Sequence, residues 1–96
     1  MLHIISRPPL KAGILGRIDQ GDAVILIEDA VTALLRLGEG AGSLQELSEV
    51  CRICALEEDL GVRGIEMDEI LSGIEILDYR GFVALTVEHP VIYSWC

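Results

Sequence analysis

Three cysteines and two histidines are the residues in this chain of 96 with the widest chemical reach. Cys51-Arg52-Ile53-Cys54 has the C-x-x-C spacing that forms a redox dithiol when it sits at a helix N-terminus. The surrounding Val50–Leu56 (VCRICAL) reads as a strand instead. Residues three apart on a strand are separated by about 10 Å and point to opposite faces. A disulfide needs Cα atoms within about 7 Å, so Cys51 and Cys54 are expected to stay unbridged and pack as small hydrophobes. A structural zinc site needs about four ligands. Cys51, Cys54, Cys96, His3 and His89 supply the types but no second close-spaced pair, so no metal site is expected. Cys96 is the last residue of the tail Val91–Cys96, expected to be mobile and open to a partner's thiol or persulfide. The adjacent terminal carboxylate raises its pKa, which disfavours an activated nucleophile.

The remaining polar residues read as structural. His3 belongs to a strand, as a packed or hydrogen-bonded histidine. His89 ends a helix, where a protonated imidazole is favoured by the dipole. Serine, histidine and aspartate are present without a nucleophile-elbow pattern to position them. Glu57-Glu58-Asp59 reads as a solvated helix start. Asp29, Asp59 and Asp78 each follow the C-terminal end of a strand, the edge where open α/β sheets place ligands. Helix capping accounts for all three without a ligand. These residues define no self-contained catalytic site and imply no cofactor.

The elements that would position them centre on Ala23–Leu37 (AVILIEDAVTALLRL). Ala23–Ile27 is continuously apolar, as strands covered on both faces are. After Glu28-Asp29 the period changes, and Val31, Leu34 and Leu35 share one helical face. Asp29 stands at the N-cap position and Gly38 at the C′ position. Before this unit, Leu2–Ser6 (LHIIS) reads as a strand, followed by Arg7-Pro8-Pro9 and a helix over about Leu10–Asp19 weakened by Gly13 and Gly16. After it, Gly38–Ser43 reads as a loop. Its glycines follow a helix, so they do not form the dinucleotide fingerprint. Leu44–Glu49 adds a helical turn. Val50–Leu56 is the third strand, with a short helix from Glu57 closed by Gly64. A linker over Ile65–Ser72 with one helical turn leads to a fourth strand, Gly73–Leu77. Asp78 caps a last helix, Tyr79–Glu88, stopped by Pro90. The fold expected is α/β, a three-layer, mostly parallel four- or five-stranded sheet with helices on both faces, in one domain over residues 1–96.

Composition narrows the function. The net charge is −9 with only 7 Lys and Arg, and no cationic cluster exists to hold phosphates, so direct nucleic-acid binding is excluded as an expectation. The chain is 51% apolar with a mean hydropathy of +0.47, yet no apolar run nears the roughly 20 residues of a membrane helix. With no signal peptide in view, the cytoplasm and no membrane contact are expected. So much apolar residue on a small domain points to packing against other chains.

Taken together, the ordered segments resemble the TusB/DsrH family of sulfur-relay proteins. The resemblance runs through Leu2-His3, Pro8, Val24–Asp29 running into a helix (VILIEDAVTALL), Ala55–Gly64 (ALEEDLGVRG) and Ile76–Trp95 (ILDYRGFVALTVEHPVIYSW). Two departures stand out. Asp29-Ala30 replaces the family's usual Asp-Gly, and Cys54 replaces a tyrosine common in the third strand. The first-helix cysteine of some relatives is absent. The resemblance implies a DsrE-like fold and assembly with two homologous sister subunits into a complex that passes persulfide sulfur to a downstream carrier. That sulfur serves tRNA wobble-uridine 2-thiolation or, in another branch, dissimilatory sulfur oxidation. It further implies that a sister subunit carries the sulfur. Asp29, Asp59, Arg63, Asp78, Tyr79 and Trp95 are then interface or structural positions. Two rival expectations are an enzyme-like carrier using Cys54 or Cys96, and a stand-alone homo-oligomer.

Overall fold

The computed structural model describes residues 1–7, 16–36 and 41–95. Five strands, β1 (Leu2–Ile5), β2 (Ala23–Leu26), β3 (Arg52–Leu56), β4 (Glu75–Leu77) and β5 (Ile92–Trp95), form one sheet in the order β4-β3-β2-β1-β5. Every adjacent pair is parallel. The expected parallel α/β sheet is therefore present in its five-stranded form. The fifth strand comes from the tail Val91–Cys96, for which the sequence suggests mobility rather than pairing. Its Ile-Tyr-Ser-Trp run is rich in strand-forming residues, and β1 offers it a free edge. Ser6 seals the join, its N–H and Oγ–H both donating to the Trp95 carbonyl at 3.2 Å.

β2 is the centre, buried at all four positions, which is why its sequence does not alternate. One face of the sheet carries Ile5, Val24, Leu26, Ile53 and Ala55, packed with Ile18, Ala30, Val31, Leu34, Leu44 and Leu60. The other carries Leu2, Ala23, Ile25 and Cys54, packed with Leu85. The chain steps β1→β2→β3→β4 in one direction, so right-handed connections lie on the first face. The return from β4 to β5 reverses direction and places its helix on the second.

The helices differ from expectation in detail. Glu28–Leu34 is a 3-10 helix, with Val31 and Leu34 eclipsed on one side as i and i+3. It stops at Leu35, which takes extended geometry and bridges Ile70, so the stop expected at Gly38 comes earlier and Gly38 itself is outside the described residues. Asp29 is not the N-cap: Ile27 occupies that position without a side-chain bond. Part of the expected loop over Gly38–Ser43 is helical, because α1 spans Ala41–Leu47. The expected helix at 10–19 falls mostly outside the described residues, and Asp19 is in irregular structure. α2 spans Glu57–Val62 and is followed by Gly64 at φ 66°, the left-handed geometry that glycine tolerates. A single 3-10 turn, Met67–Glu69, interrupts the linker. α3 spans Tyr79–Glu88 with Asp78 as its N-cap, the carboxylate accepting Gly81 N–H at 2.8 Å. Among the described residues no helix is long and apolar enough to cross a membrane.

Candidate functional site

The sheet brings together most of the singled-out residues at the C-terminal ends of its central strands. Glu28, immediately after β2, has φ 50°, a conformation costly for a side-chain-bearing residue. Its N–H donates to Asp59 Oδ2 at 2.7 Å, so a carboxylate on α2 caps the 3-10 helix in place of Asp29. Arg63 closes the arrangement. Its Nε and Nη2 donate to Asp29 Oδ1 at 3.1 and 2.7 Å, and its Nη1 donates to the Asp59 carbonyl at 3.2 Å. Asp78 and Tyr79 join the same edge, because Tyr79 N–H donates to Glu58 Oε1 at 3.1 Å. These contacts tie α2 to the segment after β2 and to the start of α3. Asp59→Ala would leave the strained Glu28 amide uncapped, and chemical denaturation is expected to show a loss of about 1–2 kcal/mol.

Trp95 lies apart from that edge, in a second network. Its indole N–H donates to His3 Nδ1 at 3.3 Å, and the two rings stack with centroids 6.4 Å apart. Indole nitrogen only donates, so Nδ1 is the unprotonated nitrogen and Nε2–H donates to Asp22 Oδ2 at 3.0 Å. Asp22 also accepts from the Asp19 amide at 3.0 Å and from the Met1 ammonium at 3.3 Å. Burial alone would raise the Asp22 pKa, but the Asp19 amide, His3 and the ammonium outweigh it and hold the carboxyl below its usual range. Arg17 covers the indole, its guanidinium 5.9 Å from the Trp95 ring centroid. His3 is thus the hydrogen-bonded core histidine expected. Asp22 is not singled out by the sequence, where its place just before a buried strand is the one available signal.

The two described cysteines fall on opposite faces of the sheet, Cys51 in one core and Cys54 in the other, and neither is bridged. Cys51 donates to the Asp19 carbonyl at 3.1 Å. Burial and the nearby Asp22 push its pKa up. Cys54 is fully buried, and burial together with the Glu75 carboxylate raises its thiol to about 11. Its Sγ lies 3.9 Å from Glu75 Oε2. Arg52 holds that carboxylate in a fork of 2.6 and 2.9 Å and also reaches Glu88. Sulfur transfer needs an accessible thiolate. Cys54, one of the two expected persulfide candidates, is buried, and burial beside the Glu75 carboxylate disfavours its thiolate. The other, Cys96, lies outside the described residues. The carboxylates at the strand ends are likewise committed to main-chain amides and Arg63, which suits a fixed surface rather than proton transfer.

A five-stranded parallel sheet with helices on both faces defines an α/β fold of the DsrE-like kind. Solved structures support that fold: protein of unknown function MTH1491 from Methanobacterium thermoautotrophicum superposes with a TM-score of 0.79 at 19% identity, over 98% of this chain and 96% of that one. The ychN protein from E. coli follows at 0.72 and 20%, over 98% and 97%. A family model described as DsrH like protein matches residues 11–92. Protein TusB of Pectobacterium parmentieri and Protein TusB of Escherichia coli K12 are each 36% identical, over 99% of this chain and 100% of theirs. The chain belongs to the DsrH-like family, the TusB/DsrH group of sulfur-relay subunits that its sequence resembles.

Proposed function

We propose that this chain is a non-catalytic subunit of a persulfide sulfur-relay complex serving tRNA wobble-uridine 2-thiolation. In that role it stabilises the assembly with two homologous sister subunits and helps dock the downstream carrier. The burial of both described cysteines, Cys51 in one core and Cys54 in the other, carries the reading. With both thiols buried and pushed up in pKa, the described part of the chain presents no accessible thiolate, and its use comes from the surfaces it presents. The full-length kinship with proteins named TusB favours tRNA thiolation over sulfur oxidation. The absence of a cationic cluster in the sequence leaves the tRNA to another member of the pathway. Asp29, Asp59, Arg63, Asp78 and Tyr79 build the docking edge, and Trp95 anchors the last strand. Co-expression with the two sister subunits and a mass measurement on what co-purifies test the proposal. A stable mixed complex that still transfers sulfur with Cys54→Ser is expected. A chain that ignores both partners, or transfer abolished by Cys54→Ser, would overturn it.

A further inference from the structure

His3 is buried between two partners that favour opposite charge states of its ring. Asp22 Oδ2, 3.0 Å from Nε2, accepts from the neutral ring and would equally steady an imidazolium. Trp95 does the reverse. Its indole N–H, 3.3 Å from Nδ1, can only donate, so it needs the lone pair that a second proton would take. Among the described residues Nδ1 has no other partner. A second proton on the ring therefore sets two N–H groups against each other, each without an acceptor. The segment before β2 adds Arg17, 5.9 Å from the indole centroid, and Asp19, whose amide bonds Asp22. The Met1 ammonium lies 3.3 Å from Asp22 Oδ1, the Cys51 thiol bonds the Asp19 carbonyl, and Tyr93 stacks on Trp95. Asp22 is held below its usual range, so it remains a carboxylate in mild acid and supplies the countercharge.

The strand that carries Trp95 is also the one with least to hold it. β5 ends the sheet and has β1 as its one strand neighbour. At its last residue the main chain is held by Ser6, whose N–H and Oγ–H both donate to the Trp95 carbonyl. The side chain is held by His3, by Arg17 and by the core on that face of the sheet. We propose that His3 and Trp95 form an acid-operated latch, in which a second proton on His3 expels the indole and frees the C-terminal end of β5 from β1. The proton comes from solvent and goes to Nδ1. Asp22 keeps its bond to Nε2–H, and the indole N–H passes to water. The released state binds one proton more than the seated state, so acid favours release, by at most about tenfold per pH unit. Imidazoles titrate between about pH 5 and 8, above the range in which the Asp22 carboxylate gains its proton. The latch lies within one chain and stands apart from the sulfur-relay reading.

Trp95 is the one tryptophan of the sequence, so its fluorescence reads the latch directly in the full chain. Between about pH 7.5 and 5.5 the emission maximum is expected to move to longer wavelength and the acrylamide quenching constant to rise at least about twofold. Far-ultraviolet circular dichroism should keep its helical signal over the same range. His3→Gln keeps an oxygen to accept and an N–H to donate but cannot take a charge, so its emission and quenching should stay level. His89→Gln should keep the transition, which removes the other histidine, just before β5, as its source. A protonated ring that only quenches a seated indole would dim the emission with no change of wavelength or acrylamide access, and that result overturns the latch. So does a transition that survives His3→Gln or vanishes in His89→Gln, the absence of any transition, or loss of the whole fold across the range. If His3→Gln does not fold, the wavelength and acrylamide access of the unaltered chain and of His89→Gln decide between the same outcomes.

Discussion

Alkylation of Cys54 in the native protein is expected to run on the order of 300-fold slower near pH 7.5 than alkylation of an ordinary exposed cysteine. The chemistry sets the figure. A thiol raised to about 11 is ionised in roughly one molecule in 3,000 at that pH, against about one in ten for an unperturbed thiol near 8.5. Full burial slows reagent access further, against the greater intrinsic nucleophilicity of a high-pKa thiolate. Denaturant should abolish the difference, because both causes, burial and the fixed Glu75 carboxylate, disappear on unfolding. Mass spectrometry of iodoacetamide-treated protein with and without denaturant reads both states at the same peptide. Rapid native modification of Cys54 would sink the non-catalytic reading at its root, because it would show that the second sheet face opens to solvent.

Asp22→Ala is expected to lower the unfolding free energy by about 2–4 kcal/mol, read by chemical denaturation near neutral pH. The change orphans the Nε2–H of His3, which is 1% exposed, together with the Asp19 amide that donates to the carboxylate. Asp22→Asn keeps an acceptor oxygen and is expected to cost about half as much. The pH dependence has a fixed sign. The carboxyl of Asp22 is held below its unfolded value, which is about 3.9. Its contribution is therefore fully present above about pH 4–5 and is lost as the pH falls through the folded value. The wild type should lose stability on acidification through that range, and Asp22→Ala should lose less. Parallel slopes in the two proteins would show that the His3–Asp22–Trp95 network is not what responds to acid.

Much of this architecture is legible in the residues. The unbroken apolar run Ala23–Ile27 marks a strand covered on both faces, and Asp78 before Tyr79–Glu88 marks a capped helix to the residue. The opposed faces of Cys51 and Cys54 follow from strand geometry alone. What escapes is set by tertiary partners. Whether Val31, Leu34 and Leu35 wind as α or 3-10 depends on Leu35 being drawn out to bridge Ile70, far along the chain. Asp29 has the position of a cap, yet Arg63 claims its side chain and Asp59 does the capping from another element. The Ile-Tyr-Ser-Trp strand needs β1 beside it before its pattern means anything. At the candidate site the residue types can be named in advance, but their grouping cannot. Asp29, Asp59 and Arg63 meet because β2 and β3 are neighbours in register, whereas Trp95 is carried to the outer strand beside β1, with His3.

The adjacency of β1 and β5 sets an order of events during folding. β1 comes first in this sheet along the sequence and β5 last, yet they lie side by side, linked by hydrogen bonds that span up to 92 positions of sequence. Until β5 docks, β1 has only β2 as a strand neighbour, and His3 lacks the indole that donates to it. Pairings of such long sequence separation form late, because the loop they close must first be brought together. The strands β1 to β4 can thus pair through short connections, while completion of the sheet, and of any surface built on its last strand, waits for the closure of its longest loop.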